Sequence, residues 1–368
     1  MRIAMLAPLI EPVPPLQYGG TERVVSVLTE ELVRRGHDVT LFASGDSLTH
    51  ARLSAFWPRA LRLDPRIDDY LPYELGQAGD VYARADEFDV IHNHVGSIAL
   101  PFARLATTPT VTTVHGRLDS RAMRTPHQLF PEQPLVSISD SQRSYMPDAN
   151  WIATVYNGID LSHFHFQPDP GDYLIFLGRI SPEKRPDRAI EIARSVGMRL
   201  IIAAKVDPAD QEYYQSEIAP LIRDCPLVEY VGEVDEQEKD ALLGGAYAYL
   251  FPIDWPEPFG LTMVEAMATG TPVIAWRGGS VPEVVVDGVT GYICDSLLEM
   301  ADAVQLAGAI DRRACRIHAE QHFSGRQMVD GYERVYARVV ARGALPDAAD
   351  TGALRLQRPR SLHSGGAA

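Results

Sequence analysis

Residues 247–270 read YAYLFPIDWPEPFGLTMVEAMATG and combine a short apolar strand, a proline-containing turn and the start of a helix. The run 247–251 is apolar, as expected for a buried parallel strand. The two prolines keep the connection extended, because a residue that precedes proline avoids the helical region. A helix is predicted over 261–269, with Gly270 at its C-terminal end. This succession of strand, turn and helix is typical of a doubly wound parallel sheet.

The same segment places two acidic residues around the predicted helix start. In doubly wound sheets, ligands bind at the carboxyl ends of the strands, where a helix N-terminus offers free amides that suit a pyrophosphate. Glu265, one turn into the helix, would reach a ribose beside the phosphate, and Glu257 would meet the sugar beyond it. Two glutamates eight residues apart are usually surface acids. The surrounding prolines and the Phe-Gly pair favour a binding site instead.

Short apolar strands alternate with helices along the whole chain, which predicts an α/β architecture with parallel sheets. A polar, proline-bearing connector at 161–171 indicates a domain boundary. We place two Rossmann-like domains at 1–165 and 166–325, followed by a final helix at 326–342. The tail 343–368 is rich in Gly, Ala, Pro, Ser and Arg and is predicted to be disordered. Strands are predicted at 2–7, 38–43, 110–114, 135–138, 153–156, 173–177, 200–203, 227–231, 247–251 and 272–275, and another ends with 89–92. Thr21 is the predicted N-cap of the first helix, and a further helix is predicted over 210–223. After the last of these strands the chain is predicted to be mostly helical.

Three further segments at strand ends are candidates for the same site. Gly178-Arg179-Ile-Ser-Pro-Glu-Lys184 follows a strand and puts cations where they could neutralise a diphosphate. Gly19-Gly20 follows the first strand and would let backbone amides approach a phosphate. His115 ends another strand. Each signal is weak by itself, since the basic segment could be a surface turn and a lone histidine is often structural.

Composition excludes several classes of function. The 368 residues carry a net charge of −15, which opposes nucleic-acid binding and bulk adsorption to anionic lipid. The apolar runs are too short for a signal peptide or a membrane span, so a cytoplasmic protein is expected, with the inner face of the membrane as an alternative. The three cysteines lack metal-binding spacing and indicate free thiols. No Asp-x-Asp occurs, so neither a metal nor a resident cofactor is expected.

The motifs together resemble those of the family-4 retaining glycosyltransferases of the GT-B fold. The resemblance covers residues 1 to about 342 and is most specific over 257–265, which matches the Glu-x7-Glu motif of that group. The segment 178–184 resembles its phosphate-binding loop, and Gly19-Gly20-Thr-Glu-Arg, His115-Gly116 and Asn157-Gly-Ile-Asp160 also match its pattern. The resemblance implies two Rossmann-like domains facing a central cleft, with the helix 326–342 crossing back to the N-terminal domain.

The resemblance also implies roles for individual residues. The implied catalytic residues hold the donor sugar or stabilise the leaving diphosphate, and they are Glu257, His115, Arg179 and Lys184. The implied donor-binding residues approach the sugar, diphosphate, ribose and base, and they are Gly19, Gly20, Gly232, Val234, Phe259, Gly260, Leu261, Thr262 and Glu265.

The implied reaction is retaining, metal-independent transfer of a hexose from a nucleoside-diphosphate sugar to a hydroxyl acceptor. The leaving phosphate itself would assist deprotonation of the acceptor. A UDP-sugar is favoured, with GDP-mannose next. The alternatives are a nucleotide-sugar 2-epimerase or a phosphorylase of the same fold, or a catalytically silent sugar-nucleotide-binding subunit. The acceptor (a sugar, a lipid-linked sugar or a small molecule) and the oligomeric state stay open.

The segment 51–63 has two interpretations. It combines three arginines with Leu53, Phe56 and Trp57 and carries no acid. A basic, aromatic segment of this kind is typical of weak peripheral membrane contact. Pro58 interrupts any helix, and the overall charge opposes anionic membranes, which favours packing of the aromatic residues on the N-terminal core.

Overall fold

The strands form two parallel sheets within residues 1–343, which are the residues that the computed structural model describes; apart from Gly343, the predicted tail 343–368 lies outside them. The first sheet contains β1 (Arg2–Leu6), β2 (Asp38–Ala43), β3 (Arg52–Ala55), β4 (Val90–Asn93), β5 (Thr110–Val114), β6 (Leu135–Ser137) and β7 (Trp151–Thr154). The second contains β8 (Tyr173–Arg179), β9 (Arg199–Lys205), β10 (Val228–Gly232), β11 (Ala248–Phe251), β12 (Val273–Trp276) and β13 (Gly291–Cys294).

Both sheets are doubly wound. Their strand orders are β3-β2-β1-β4-β5-β6-β7 and β10-β9-β8-β11-β12-β13, and every pairing is parallel. The first strand of each sheet lies near its centre, so the winding reverses between β1 and β4 and again between β8 and β11. Crevices open at such reversals, at the carboxyl ends of the strands. The prediction of two doubly wound parallel-sheet domains is confirmed.

The helices cover the faces of the two sheets. They are α1 (Gly20–Arg34), α2 (Leu71–Ala83), α3 (Leu100–Ala103), α4 (Arg121–Leu129), α5 (Asp140–Ser144), α6 (Pro186–Val196), α7 (Gln211–Tyr213), α8 (Ala219–Arg223), α9 (Glu236–Gly244), α10 (Leu261–Thr269), α11 (Val281–Val284), α12 (Leu297–Leu306), α13 (Arg312–His322) and α14 (Gly325–Gly343). Helix α10 has the predicted bounds, and Gly270 follows it in the left-handed conformation that glycine adopts without strain.

The sequence prediction differs from the structure in four places. The predicted helix 210–223 is interrupted, because a π turn at Tyr214–Ile218 separates α7 from α8. Strands β3 and β13 were not predicted; each has only four residues, lies at a sheet edge and has two partly exposed central residues. The N-cap of α1 is Gly19 rather than the predicted Thr21, and no side chain caps this helix.

Helix α14 packs on the first sheet although it ends the described chain. Tyr332 and Tyr336 are fully buried in the same apolar cluster as β1 and β2. Their hydroxyls bond to the buried side chains of the neighbouring strands, Tyr336 to His92 at 2.7 Å and Tyr332 to Thr113 at 2.9 Å. Helix α14 therefore fastens the C-terminal end of the chain to the N-terminal domain.

The segment 51–63 forms an edge strand and a turn, followed by a short 3₁₀ helix at Leu61–Leu63, rather than an α-helix. Trp57 packs edge-on against Tyr73 with ring centroids 4.7 Å apart, and Arg62 pairs with Glu11. These contacts agree with packing on the N-terminal core, while Phe56 stays 41% exposed. Within residues 1–343, no helix is both long and apolar enough to cross a membrane. Peripheral contact stays a prediction, to be tested by co-sedimentation with anionic vesicles.

Candidate functional site

A cleft of about 780 Å³ lies between the two domains, at the carboxyl ends of the central strands. Its C-terminal wall consists of the loop after β8 and the loop that leads from β11 into α10. Its N-terminal wall consists of the loop before α1 and the ends of β4 and β5. A smaller pocket of about 120 Å³ adjoins it between Tyr18, Lys205 and Glu265. The main cleft is large enough for a sugar and a diphosphate, and the small pocket extends it in the direction expected of a nucleoside.

The N-terminus of α10 points into this cleft, and no side chain accepts a hydrogen bond from its first backbone amides. Gly260 precedes the helix with φ of 80°, which only glycine adopts readily, and no side chain caps α10. The amides of Leu261 and Thr262 therefore face the cleft with the positive end of the helix dipole. Such a terminus is an anion site, in agreement with the predicted diphosphate position.

Glu257 is held beside this terminus by two side chains and by the backbone of a neighbouring loop. Its carboxylate forms an ion pair with Lys184 and accepts a hydrogen bond from the Trp255 indole at 3.1 Å. A Cβ at Gly279 would lie 2.2 Å from the Glu257 carbonyl oxygen, so only glycine fits behind this residue. The side chain of Glu257 is thus fixed in direction, as a group that positions a ligand requires.

Arg179 is surrounded by acidic side chains, although its sequence context suggested an unpaired cation. Its guanidinium pairs with Glu183, lies 3.6 Å from the Asp207 carboxylate and lies 3.2 Å from Asp210. The buried Nε atom nevertheless has no hydrogen-bond partner with good geometry among residues 1–343. Because both Arg179 and Lys184 are paired with acids, the positive potential for a diphosphate comes in large part from the amides of α10.

Glu265 forms a buried ion pair at the floor of the small pocket. Its carboxylate lies 2.7 Å from Lys239 Nζ, and both side chains are at most 10% exposed. Burial lowers the pKa of the Lys239 ammonium, and the neighbouring Glu265 carboxylate opposes this shift. Lys239 thus fixes the direction of the carboxylate that was predicted to hold a ribose.

His115 enters the cleft from the end of β5 and rests on a second histidine. Its Nε2 lies 2.8 Å from His94 Nδ1, and the two rings stack with centroids 5.1 Å apart. Burial lowers the pKa of His115 to about 4, so the imidazole is neutral at physiological pH. His115 can therefore exchange hydrogen bonds with a sugar hydroxyl but does not supply a positive charge.

The glycine loop before α1 faces α10 across the cleft. A Cβ at Gly20 would lie 3.6 Å from the Leu261 side chain, so the two helix starts oppose each other closely. Tyr18 extends this loop to the second domain, where its backbone amide donates to Glu233 at 3.0 Å and its ring lies 4.8 Å from Lys205 Nζ. The N-terminal domain therefore closes one side of the small pocket.

The structure brings most of the predicted site residues together at these two cavities. Those that line one or both are Gly19, Gly20, His115, Arg179, Lys184, Val234, Glu257, Phe259, Gly260, Leu261, Thr262 and Glu265. Gly232 does not line either cavity; it ends β10 with φ of 81° and turns the chain so that Glu233 does.

Sequence reasoning missed several residues that line these cavities. Lys239, Lys205 and His94 were missed because each is a single residue on an element that carries no motif. Gly279, which lies behind Glu257 and not in either cavity, had a usable signal, since the pair Gly278-Gly279 comes one residue after β12. Among residues 1–343, no group of three or more His, Cys, Asp or Glu side chains is arranged to hold a metal ion.

Comparison with known proteins identifies the family. Residues 18–163 match the family model of Glycosyltransferase Family 4, and residues 161–312 match that of Glycosyl transferases group 1. The glycogen synthase of Mycobacterium tuberculosis (strain ATCC 25618 / H37Rv) is 28% identical over 339 residues, which cover 76% of this chain and 80% of the relative. The phosphatidyl-myo-inositol mannosyltransferase of the same strain is 26% identical over 328 residues, which cover 80% and 82%.

A solved structure shows the same fold over nearly the whole chain. The Anabaena protein HepE, in complex with UDP and glucose, superposes with a TM-score of 0.74 at 18% sequence identity and covers 92% of this chain and 100% of its own. The two family models, the curated relatives and the shared fold agree with the motifs at the cleft. The chain belongs to the family-4 glycosyltransferases of the GT-B fold.

Proposed function

We propose that the protein transfers a hexose from a nucleoside-diphosphate sugar to a hydroxyl acceptor with retention of anomeric configuration. The observation that carries this proposal is the opposition of Gly20 and the N-terminus of α10 across the cleft, with Glu257 on one side and Glu265 on the other. A diphosphate between the two helix starts would place its sugar beside Glu257 and its ribose beside Glu265.

A UDP-sugar is the favoured donor and GDP-mannose the next. HepE, which shares the fold, was solved with UDP and glucose, while one relative is named a mannosyltransferase.

In the proposed reaction, the acceptor oxygen forms a bond to the anomeric carbon while the bond from that carbon to the phosphate oxygen breaks. The electron pair leaves with the nucleoside diphosphate, and the acceptor proton passes to a phosphate oxygen. The α10 amides, Lys184 and Arg179 stabilise the growing negative charge. Glu257 is tied to Lys184 and Trp255, which supports a role in orienting the sugar rather than in attacking it.

Retention and metal independence are part of the proposal. Support for a front-face route comes from the ion pairing of Glu257 and from the low pKa of His115, which makes its imidazole a weak base for activating the acceptor. Support for metal independence comes from the sequence, which has no Asp-x-Asp motif, and from the amides and cations gathered at the diphosphate position.

Release of nucleoside diphosphate from a panel of UDP-, GDP- and ADP-sugars, with and without sugar and polyol acceptors, tests the proposal. Acceptor-dependent release with a product of unchanged anomeric configuration by NMR would support it. A product of inverted configuration would refute retention. Isomerisation of the sugar nucleotide without an acceptor would indicate the 2-epimerase instead, and binding without turnover would indicate a silent subunit.

A further inference from the structure

The N-terminal wall of the cleft, where an acceptor must approach, is lined by five charged side chains, and a sixth, Asp119, lies beside one of them. Four of them cancel in pairs. Arg62 forms an ion pair with Glu11, and Arg117 donates to Asp119 at 2.7 Å. These two pairs leave no net charge for a ligand.

The remaining two charged groups are the carboxylates of Glu22 and Glu74. Both line the cleft, and neither forms an ion pair or a hydrogen bond to another side chain among residues 1–343. Glu22 is only 5% exposed, and its carboxylate accepts a hydrogen bond from its own backbone amide but has no counter-ion among the described residues. Burial, aided by the nearby Glu74 charge, raises the pKa of Glu22 to about 7. A buried carboxylate with no counter-ion is costly, which indicates that a ligand supplies further hydrogen bonds.

A third group on the same cleft agrees with this interpretation. Asn157 is 3% exposed, and its side-chain oxygen has no hydrogen-bond partner among the described residues. Like the two carboxylates, this atom accepts hydrogen bonds. The two carboxylates and the Asn157 oxygen therefore favour a ligand that donates hydrogen bonds. Among residues 1–343, this side of the cleft has no unpaired cation for an anionic ligand.

Glu22 also lies close to the proposed diphosphate position. Its Oε2 is 3.3 Å from the point where a Cβ on Gly19 would sit, at the start of the glycine loop. A molecule bonded to Glu22 would thus be next to the donor, as an acceptor must be. A phosphate or carboxylate in the same place would meet the donor diphosphate and two unpaired carboxylates, with no free cation to offset them.

We propose that the acceptor is a polyhydroxyl compound without phosphate or carboxylate groups, whose hydroxyls donate to Glu22 and Glu74. This inference rests on the proposed glycosyl transfer and specifies its acceptor. Each carboxylate binds a hydroxyl through a charge-assisted hydrogen bond, whose loss costs about tenfold or more in binding.

Matched acceptor pairs test the proposal. Suitable pairs are glucose and glucose 6-phosphate, fructose and fructose 6-phosphate, myo-inositol and inositol 1-phosphate, and glycerol and glycerol 3-phosphate, each supplied with UDP-glucose and with GDP-mannose. The wild type is compared with Glu22→Gln, Glu74→Gln and the double variant. Glu30→Gln is the control, since Glu30 is on the same helix but outside the cleft and bonds to Thr49. Melting temperatures verify that each variant folds.

We expect kcat/KM at least tenfold higher for the neutral member of a pair. In the double variant, KM for the neutral acceptor should rise about tenfold and the discrimination against its phosphorylated partner should fall, with donor KM unchanged. A preference for any phosphorylated member, or discrimination that the double variant keeps in full, would overturn the proposal. If the enzyme slowly hydrolysed the donor but transferred the sugar to none of the neutral acceptors, the acceptor proposal would also be overturned. The glycosyltransferase assignment would stay intact. Absence of any nucleoside diphosphate release would instead refute the proposed function.

Discussion

Replacing Glu22 by Gln should stabilise the protein at neutral and alkaline pH. The Glu22 carboxyl is buried without a side-chain partner, which raises its pKa from 4.5 to about 7. Between these two values, the folded protein binds more protons than the unfolded chain. The contribution of Glu22 to the free energy of unfolding is therefore largest below pH 4.5, and it is lost as the pH rises through 7. Glutamine has nearly the same shape and does not titrate.

The size of the effect follows from the two pKa values. A single group with these values lowers the free energy of unfolding by about 2.5 kcal/mol between pH 5 and pH 8. The Glu22→Gln variant should lack this loss, so its advantage over the wild type should grow by that amount across the same range. For a domain of this size, 1 kcal/mol corresponds to roughly 2–4 °C in melting temperature.

Urea denaturation of wild type, Glu22→Gln and the control Glu30→Gln, in buffers of constant ionic strength from pH 5 to pH 8, measures this difference. Glu30 is partly exposed and bonds to Thr49 and His50, so its replacement should not add stability at high pH. Parallel pH profiles for wild type and Glu22→Gln would refute the reasoning, because they would mean that Glu22 is ionised in the folded protein at its ordinary pKa.

Three further perturbations test other parts of the site. Lys184→Ala should lower turnover about 10²–10³-fold at saturating donor. Arg185 is the control, since its charge is paired outside the cleft, and Arg185→Ala should leave turnover unchanged. Equal losses in the two variants would contradict the role of Lys184. Glu283 accepts hydrogen bonds from two backbone amides of α5 at 2.7 Å and from the Tyr156 hydroxyl at 3.0 Å, all across the domain boundary. Glu283→Ala removes these bonds and should raise donor KM severalfold. An unchanged KM would show that these contacts do not fix the relative position of the two cleft walls. Activity should survive EDTA, and loss of activity that manganese or magnesium restores would contradict metal independence.

Local patterns were sufficient to predict most of the fold. The bounds of α10 followed from a strand, two prolines and Gly270, because each of these acts on the backbone within a few residues. The edge strands β3 and β13 were missed because both are short: β3 contains the polar residues Arg52 and Ser54, and the apolar run of β13 is only three residues long.

The side chains that pair within the site could not be predicted from the sequence. Lys184 and Arg179 were read as free cations. The partner of Lys184, Glu257, and one partner of Arg179, Asp210, come from distant segments, whereas Glu183, the other partner of Arg179, lies in the same segment. Lys239 is on α9 and meets Glu265 only because α9 and α10 pack together. Such pairings depend on tertiary contacts between distant segments, and no local spacing reports them.

The most direct test of the account is a crystal structure of the protein with UDP bound. The account predicts that the diphosphate lies between Gly20 and α10, with its oxygens within hydrogen-bond distance of the Leu261 and Thr262 amides and the ribose hydroxyls on Glu265. A diphosphate bound away from the start of α10, or a ribose that does not contact Glu265, would contradict the central claim that this cleft holds the donor.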